Sequence, residues 1–169
     1  MYRGIRDETY KKIEFIPIKF LLFKNTLYLH SFKPEDHGYR NYNVSRFKPK
    51  TLLSSDRKIH FKLPENKWAS LRENSFGIVY VGKVKKVKLE FLPKAVKHVK
   101  DRKWHFKPNI LFKQNGNMVM EMDLYITTEL ISEIMRWMPN VIVHKPSELI
   151  NKVKKRLMDS LTNNKWNIA

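Results

Sequence analysis

Positive charges and aromatic rings are interleaved in residues 37–62. Against the single acid Asp56, the segment holds seven cations: Arg40, Arg46, Lys48, Lys50, Arg57, Lys58 and Lys62. Four aromatic residues lie among them: Tyr39, Tyr42, Phe47 and Phe61. Cationic side chains bind phosphates and aromatic rings stack on bases, so this combination is typical of single-stranded nucleic-acid binding. We therefore expect this segment to contribute to the binding of an anionic ligand.

The spacing of two arginines raises a conflict with burial. On an ideal strand, one face is shared by Arg40, Tyr42, Val44 and Arg46. If this face is buried, both arginines are buried too, and arginine is rarely buried without a partner. A bulge, or a shallow concave pocket lined by this face, would resolve the conflict, and the pocket is the functional interpretation. The alternative is that Tyr42, Val44 and Phe47 are core positions of a barrel strand.

Motifs for catalysis are missing from the sequence. The histidines form no H-E-x-x-H or H-x-H pair, and no G-x-S-x-G, P-loop or G-x-G-x-x-G motif occurs. Cysteine is absent, which excludes a thiol nucleophile, a disulfide scaffold and a cysteine-ligated zinc site. We expect a protein that is not an enzyme and that uses no cofactor and no metal.

The charge balance favours an acidic partner. The chain has 169 residues, 34 Lys and Arg against 16 Asp and Glu, and a net charge of +18. Nucleic acid is the first candidate partner and a membrane surface the second. Residues 81–113 alone hold 11 cations and 2 acids, although a solvated lysine-rich face is the alternative for this run. No apolar stretch could span a membrane, and the lack of cysteine fits a reducing, cytoplasmic location.

Residues 84–163 show the order β-α-β-β-α-β-α. Alternating apolar and charged residues open the segment as a half-buried strand, and Asn115-Gly116 joins the two halves of a hairpin over 104–125. Thr127 can cap the second helix. The first six elements follow the ferredoxin-like plan, an antiparallel four-stranded sheet with two helices on one face. The predicted fold class is α+β.

The first half of the chain is rich in β-forming residues. The predicted elements are a strand pair in 13–23, a turn at Lys24-Asn25, strands in 26–32 and 39–47, and a short helix around Trp68. Several short strands separated by turn signals indicate a small β-barrel. Residues 76–83 would connect the two halves.

Several segments occur in the order found in one family of regulators. In the second half they are Val87 to Phe91, Val99 to His105, Leu130 to Trp137 and Pro146 to Leu161. In the first half they are Leu27-Tyr28-Leu29 and the basic segment Arg40 to Phe47. Together they resemble the C-terminal effector part of WYL-domain transcriptional regulators, including the extension called WCX. The family's Trp-Tyr-Leu triplet would lie at Leu27, with Leu in place of Trp.

The resemblance implies a division into two domains. Residues 1–75 would form a WYL-like Sm/SH3-type barrel for ligand sensing, and residues 84–163 a ferredoxin-like WCX extension with an extra C-terminal helix. Residues 76–83 would be the linker. We expect the family's N-terminal helix-turn-helix and most of the first barrel strand to be lacking, through truncation or in a naturally short relative.

The resemblance also implies a binding pocket and a function. The pocket would be lined by Tyr28, His30, Arg40, Tyr42 and Arg46. We expect ligand sensing within a transcriptional regulator, with single-stranded nucleic acid such as DNA as the ligand and with homodimerisation. One alternative is a sensor of a small anionic ligand such as a nucleotide, and another is a non-catalytic dimerisation scaffold.

Overall fold

The structure of the protein is a computed structural model that describes residues 1–51, 73–80, 82–102, 104 and 107–165. These residues divide into two compact units. The first contains 1–51 and 78–80, and the second contains 73–77 and the described residues from 82 onward. The predicted helix around Trp68 and the cations Arg57, Lys58 and Lys62 lie outside the described residues.

The first unit is built on an antiparallel three-stranded sheet. Its strands are β1 (Ile16–Phe23), β2 (Thr26–Lys33) and β3 (Gly38–Asn43), in the order β1-β2-β3. The turn between β1 and β2 is formed by Lys24 and Asn25, with φ of 47° and 59°, as the sequence predicted. In the residues that the structure describes, this sheet is open and no barrel closes.

Two predicted boundaries in this unit are wrong. Within residues 13–23 the structure has one strand, β1 (Ile16–Phe23), and not a strand pair. The strand predicted over 39–47 ends at Asn43, and the short 3-10 helix Val44–Arg46 follows it. The Asn43 side chain accepts a hydrogen bond from the Ser45 amide at 3.0 Å, which satisfies a backbone donor locally and ends the strand.

The second unit contains an antiparallel four-stranded sheet and three α-helices. The elements are β4 (Val84–Phe91), α1 (Pro93–Val99), β5 (Asn109–Phe112), β6 (Met118–Tyr125), α2 (Thr128–Trp137), β7 (Val141–Lys145) and α3 (Ser147–Asn163). The strand order is β5-β6-β4-β7. This is the element order that the sequence predicted, although β5 begins only after Pro108. Gly116, with φ of 80°, lies in the predicted hairpin turn.

The apolar residues of the strands and of the helices pack into one core in the second unit. Thr127 caps α2, because its Oγ1 accepts a hydrogen bond from the Leu130 amide at 3.2 Å. The largest buried side chains are Phe91, Leu89, Met118, Met120, Leu124, Leu130, Ile134 and Leu149. Trp104 is also buried in this core. The opposite face of the sheet therefore carries Lys86, Lys88 and Glu90 of β4 and Glu121 and Asp123 of β6.

Helix α3 is amphipathic over its 17 residues. Leu149 and Val153 are buried in the core, whereas Leu157, one turn further along the helix, is 37% exposed. The cations Lys154 and Lys155 are exposed. Of the helices in the described part of the chain, none is long and apolar enough to cross a membrane.

Candidate functional site

Strand register separates the predicted pocket residues between the two faces of the first sheet. Tyr28 and His30 pair with Asn43 and Asn41, whereas Arg40 and Tyr42 pair with Ser31 and Leu29. Directly paired residues share a face, and neighbours along a strand point to opposite faces. Arg40 and Tyr42 therefore lie on one face, and Tyr28 and His30 lie on the other. Arg46 lies beyond the strand, in the 3-10 helix.

His30 is a fully buried member of the packed interior of this unit. The amide of Asn41 donates to the Ile78 carbonyl, so its Oδ1 is the acceptor and His30 Nδ1 carries the hydrogen in their 2.7 Å bond. The imidazole lies parallel to the Tyr39 ring, with centroids 5.5 Å apart. Burial lowers the pKa of His30, which favours the neutral imidazole. This environment fits a positioned core histidine, and Tyr28 beside it on this face is half-buried.

Arg40 is oriented by the loop that precedes its strand. Its Nη2 donates to Asp36 Oδ2 at 2.5 Å, and its Nη1 donates to the Tyr39 carbonyl at 2.9 Å. Asp36 also accepts from the Gly38 amide at 3.0 Å, which holds the carboxylate in place. Both partners of the Arg40–Asp36 ion pair are well exposed. The guanidinium is therefore held in one orientation at the surface.

Arg46 lies next to a cluster of aromatic rings. The cluster consists of Tyr2, Phe15, Tyr42 and Phe47, with ring centroids 5.0 to 6.1 Å apart. Burial raises the pKa of Tyr42, so its hydroxyl stays neutral. Arg46 is half-buried, and within the described residues it forms no ion pair with an acid.

Three exposed apolar side chains share a face with Arg40 and Tyr42. Phe20 is 64% exposed, Leu22 75% and Leu27 43%. Phe20 pairs with Leu29, which in turn pairs with Tyr42, and Leu22 pairs with Leu27. We call this side of the sheet the Arg40 face; it comprises the exposed Phe20, Leu22, Leu27 and Arg40 and, between them, the buried Leu29, Ser31 and Tyr42.

Sequence reasoning missed the exposed residues because of a bulge in β1. Pro17 pairs with Ser31, but Lys19 pairs with His30, so one extra residue lies between them. Residues 17 and 19 therefore point to opposite faces although their parity is the same. The contact of Phe15 with Tyr42 and the pairing of Phe20 put both rings on one face. Only the register could show this.

A buried carboxylate in the second unit also escaped sequence reasoning. Glu90 is 5% exposed and accepts hydrogen bonds, each 2.7 Å long, from Lys113 and Asn117 on Oε1 and from His144 on Oε2. These donors, led by Lys113, lower the pKa of Glu90 from 4.5 to about 2. The group joins β4, β7 and the β5–β6 hairpin. Three or more potential metal ligands do not come together anywhere in the described ranges.

Comparison with known proteins shows that part of the chain is similar to a known domain. Among solved structures, proteasome accessory factor B/C of Arthrobacter aurescens aligns with 96% of this chain at 14% identity and a TM-score of 0.39. The chain covers 24% of that structure, about a quarter of its length. No curated protein matches the sequence. The family model of the WCX domain matches residues 83–161. The second unit, from β4 to near the end of α3, is therefore similar to a WCX domain.

Proposed function

We propose that the chain is the ligand-sensing part of a WYL-type transcriptional regulator and that it binds single-stranded nucleic acid. The WCX similarity of residues 83–161 supports the regulator assignment, because this extension follows the sensing domain in the regulators that the chain resembles. The finer arrangement belongs to the same proposal: a WYL-like barrel in the first unit and a ferredoxin-like second unit, with homodimerisation and no chemistry on the ligand.

The observation that carries the ligand assignment is the composition of the Arg40 face. Exposed apolar side chains and an oriented guanidinium share this one sheet surface, since Phe20 and Arg40 occupy neighbouring rows of the register. An exposed ring can stack on a base of any sequence, and a guanidinium can bind phosphate through two oxygens. A contiguous exposed apolar group on a sheet is typical of a binding surface.

The two arginines would contribute in different ways. Arg46 has no acidic partner among the described residues, so it can bind a phosphate without breaking an ion pair. Arg40 would exchange Asp36 for a phosphate oxygen, and its hydrogen bond to the Tyr39 carbonyl would keep the guanidinium oriented. The ligand therefore approaches the Arg40 face and not the face of Tyr28 and His30, where the imidazole is fully buried.

Fluorescence anisotropy with labelled oligothymidylates of graded length tests this proposal. We expect affinity to rise with length over several nucleotides and to fall steeply with salt, because phosphate contacts release counterions. Duplex DNA and single-stranded RNA of equal length are measured beside it. Saturation by a mononucleotide, with no gain from length, would instead support the small-ligand sensor. Absence of binding to any of these would support the scaffold alternative.

Two double variants are compared in this test. The first combines Arg40→Ala with Arg46→Ala, and the second combines Lys154→Ala with Lys155→Ala. Each double variant removes two positive charges, but the lysines lie on α3 in the other unit. We expect the arginine variant to lose much more affinity than the lysine variant. Equal losses would mean that binding depends on net charge alone, and thermal melts establish that both variants are folded.

A further inference from the structure

A second cationic surface, which the proposed function does not use, lies where α1 and α2 end. The ring of Trp137, the last residue of α2, is bordered by the Arg102 Cζ at 5.6 Å and by the Arg136 Cζ at 5.9 Å. The His98 imidazole stands nearly parallel to the indole, at 24° and 6.5 Å between centroids. We call this group, together with Lys94, Lys97 and Lys100 of α1 and its C-cap, the helix-end surface.

The aromatic centre of the helix-end surface is held by one carboxylate. Glu133 Oε1 accepts a hydrogen bond from Trp137 Nε1 at 3.1 Å and another from Arg102 Nη1 at 3.3 Å. The Glu133 side chain is only 15% exposed. The Arg102 backbone amide donates to the Val99 carbonyl at 3.1 Å, which anchors the arginine to the end of α1. The indole and guanidinium are therefore positioned before any ligand binds.

The three lysines of this surface are spaced three residues apart and all are exposed. Helix α1 contains no acid, and like charges at this spacing repel each other. Some other lysines of the unit have carboxylate partners, among them Lys85–Glu148, Lys88–Glu121, Lys113–Glu90 and Lys152–Glu148. Lys94, Lys97 and Lys100 have no ion pair in the described ranges. The nearest acid along the chain, the exposed Asp101, forms no ion pair with them in the described ranges. These three exposed cations are therefore available to an external anion.

The position of His98 indicates which class of anion this surface can bind. The imidazole faces Trp137 on one side, and the residue is exposed, so its other side is open to a flat group. Bases of a single strand can stack there while the neighbouring lysines bind phosphates, whereas a duplex keeps its base faces covered. We propose that the helix-end surface binds a single strand of nucleic acid, with a base on His98 and phosphates on Lys97 and Lys100, independently of the Arg40 face.

The test compares two full-length double variants with the same loss of charge. Lys97→Gln with Lys100→Gln removes two proposed phosphate contacts, and Lys154→Gln with Lys155→Gln removes two exposed charges from α3. Glutamine has nearly the helix propensity of lysine, so both variants should fold. We expect the first to lower the salt slope of oligothymidylate binding by about 1.4 and the affinity by about 25-fold at about 0.1 M salt. The second should change neither appreciably. Equal losses in the two variants would overturn the proposal.

His98→Ala separates stacking from charge. We expect at least about a fivefold loss of affinity for the single strand with an unchanged salt slope, because no phosphate contact is removed. A duplex of equal length that binds as tightly, and that weakens equally in this variant, would overturn the assignment to a single strand. Thermal melts are compared for every variant.

Measuring Arg40→Ala with Arg46→Ala alongside distinguishes this surface from the Arg40 face. If only the arginine variant loses affinity, the helix-end surface is wrong and the proposed function stands. If only the variant with Lys97→Gln and Lys100→Gln loses affinity, the helix-end surface stands and the assignment of the ligand to the Arg40 face is wrong. A wild-type protein that binds no single strand overturns both.

Discussion

Both sheets have a face with cations, but the two faces differ in how those cations are neutralised. On the face of the second sheet that points away from its helices, Lys88 and Lys145 share Glu121, and Glu90 takes Lys113 and His144. On the Arg40 face, Arg40 pairs with the exposed Asp36 of the preceding loop, the strands supply no carboxylate in the described residues, and apolar side chains lie exposed. The number of cations is thus a poor guide to binding, and the supply of internal carboxylates is a better one.

The largest expected effect comes from removing the Glu90 carboxylate, which joins cations of the second sheet. Glu90→Ala leaves the Asn117 amide and two cationic side chains without their shared acceptor. We expect the free energy of unfolding to fall by ~3 kcal/mol, below the limit for a fully buried pair because Lys113 and His144 reach solvent. Urea unfolding measures it. Glu121→Ala, at a more exposed ion pair, is the control and should cost less than ~1 kcal/mol. Equal effects of the two would refute a special role for Glu90.

The same carboxylate predicts how stability depends on acid. The pKa of Glu90 is lowered from 4.5 to about 2 in the folded protein. A lowered folded-state pKa means that this contribution is complete above 4.5 and is lost as the pH falls through about 2. We expect the melting temperature of wild type to fall over this window more steeply than that of Glu90→Gln. Parallel curves for the two proteins would show that other carboxylates govern acid unfolding.

At the proposed ligand site of the first unit, the largest expected effects are on binding. Arg46→Ala should weaken single-stranded DNA binding by ~1–3 kcal/mol, as expected for a charge-assisted contact. Its salt slope should fall by roughly 0.7. Arg46→Lys should restore only part of the affinity, since lysine lacks the planar fork. A normally folded Arg46→Ala protein that binds like wild type would remove Arg46 from the site.

Asp36→Asn has the smallest expected effect, and it is the one substitution here that should make binding tighter. The ion pair of Asp36 with Arg40 is exposed, so losing it should cost less than ~1 kcal/mol of stability. Binding of a single strand should become tighter, by up to ~1 kcal/mol, because the phosphate no longer competes with a carboxylate for Arg40. Anisotropy titrations measure this change. Weaker binding would mean that the orientation given by Asp36 matters more than the competition.

The sequence carries much of the fold of the second unit because its signals are local. Alternation in β4 and β6, the Thr127 cap and the Asn115-Gly116 turn act over a few residues each. The candidate sites depend on longer distances: Glu90 meets a lysine 23 positions away and a histidine 54 positions away. In the first unit, the Asn43 cap ended a strand that alternation would have continued, so parity misplaced Arg46.

The bulge in β1 also determines which changes of chain length the first sheet can accept. A regular strand would place Phe15 and Phe20 on opposite faces, because they are an odd number of residues apart; the extra residue between Pro17 and Lys19 brings both to the side of Tyr42. Deleting Ile18 would move the side chains of the preceding segment to the other face of the sheet. Phe15 would then lie away from Tyr42 and Phe47. The strand should therefore accept substitutions at Ile18 far more readily than single-residue insertions or deletions, and natural variation in the length of this hairpin should be confined to its Lys24-Asn25 turn.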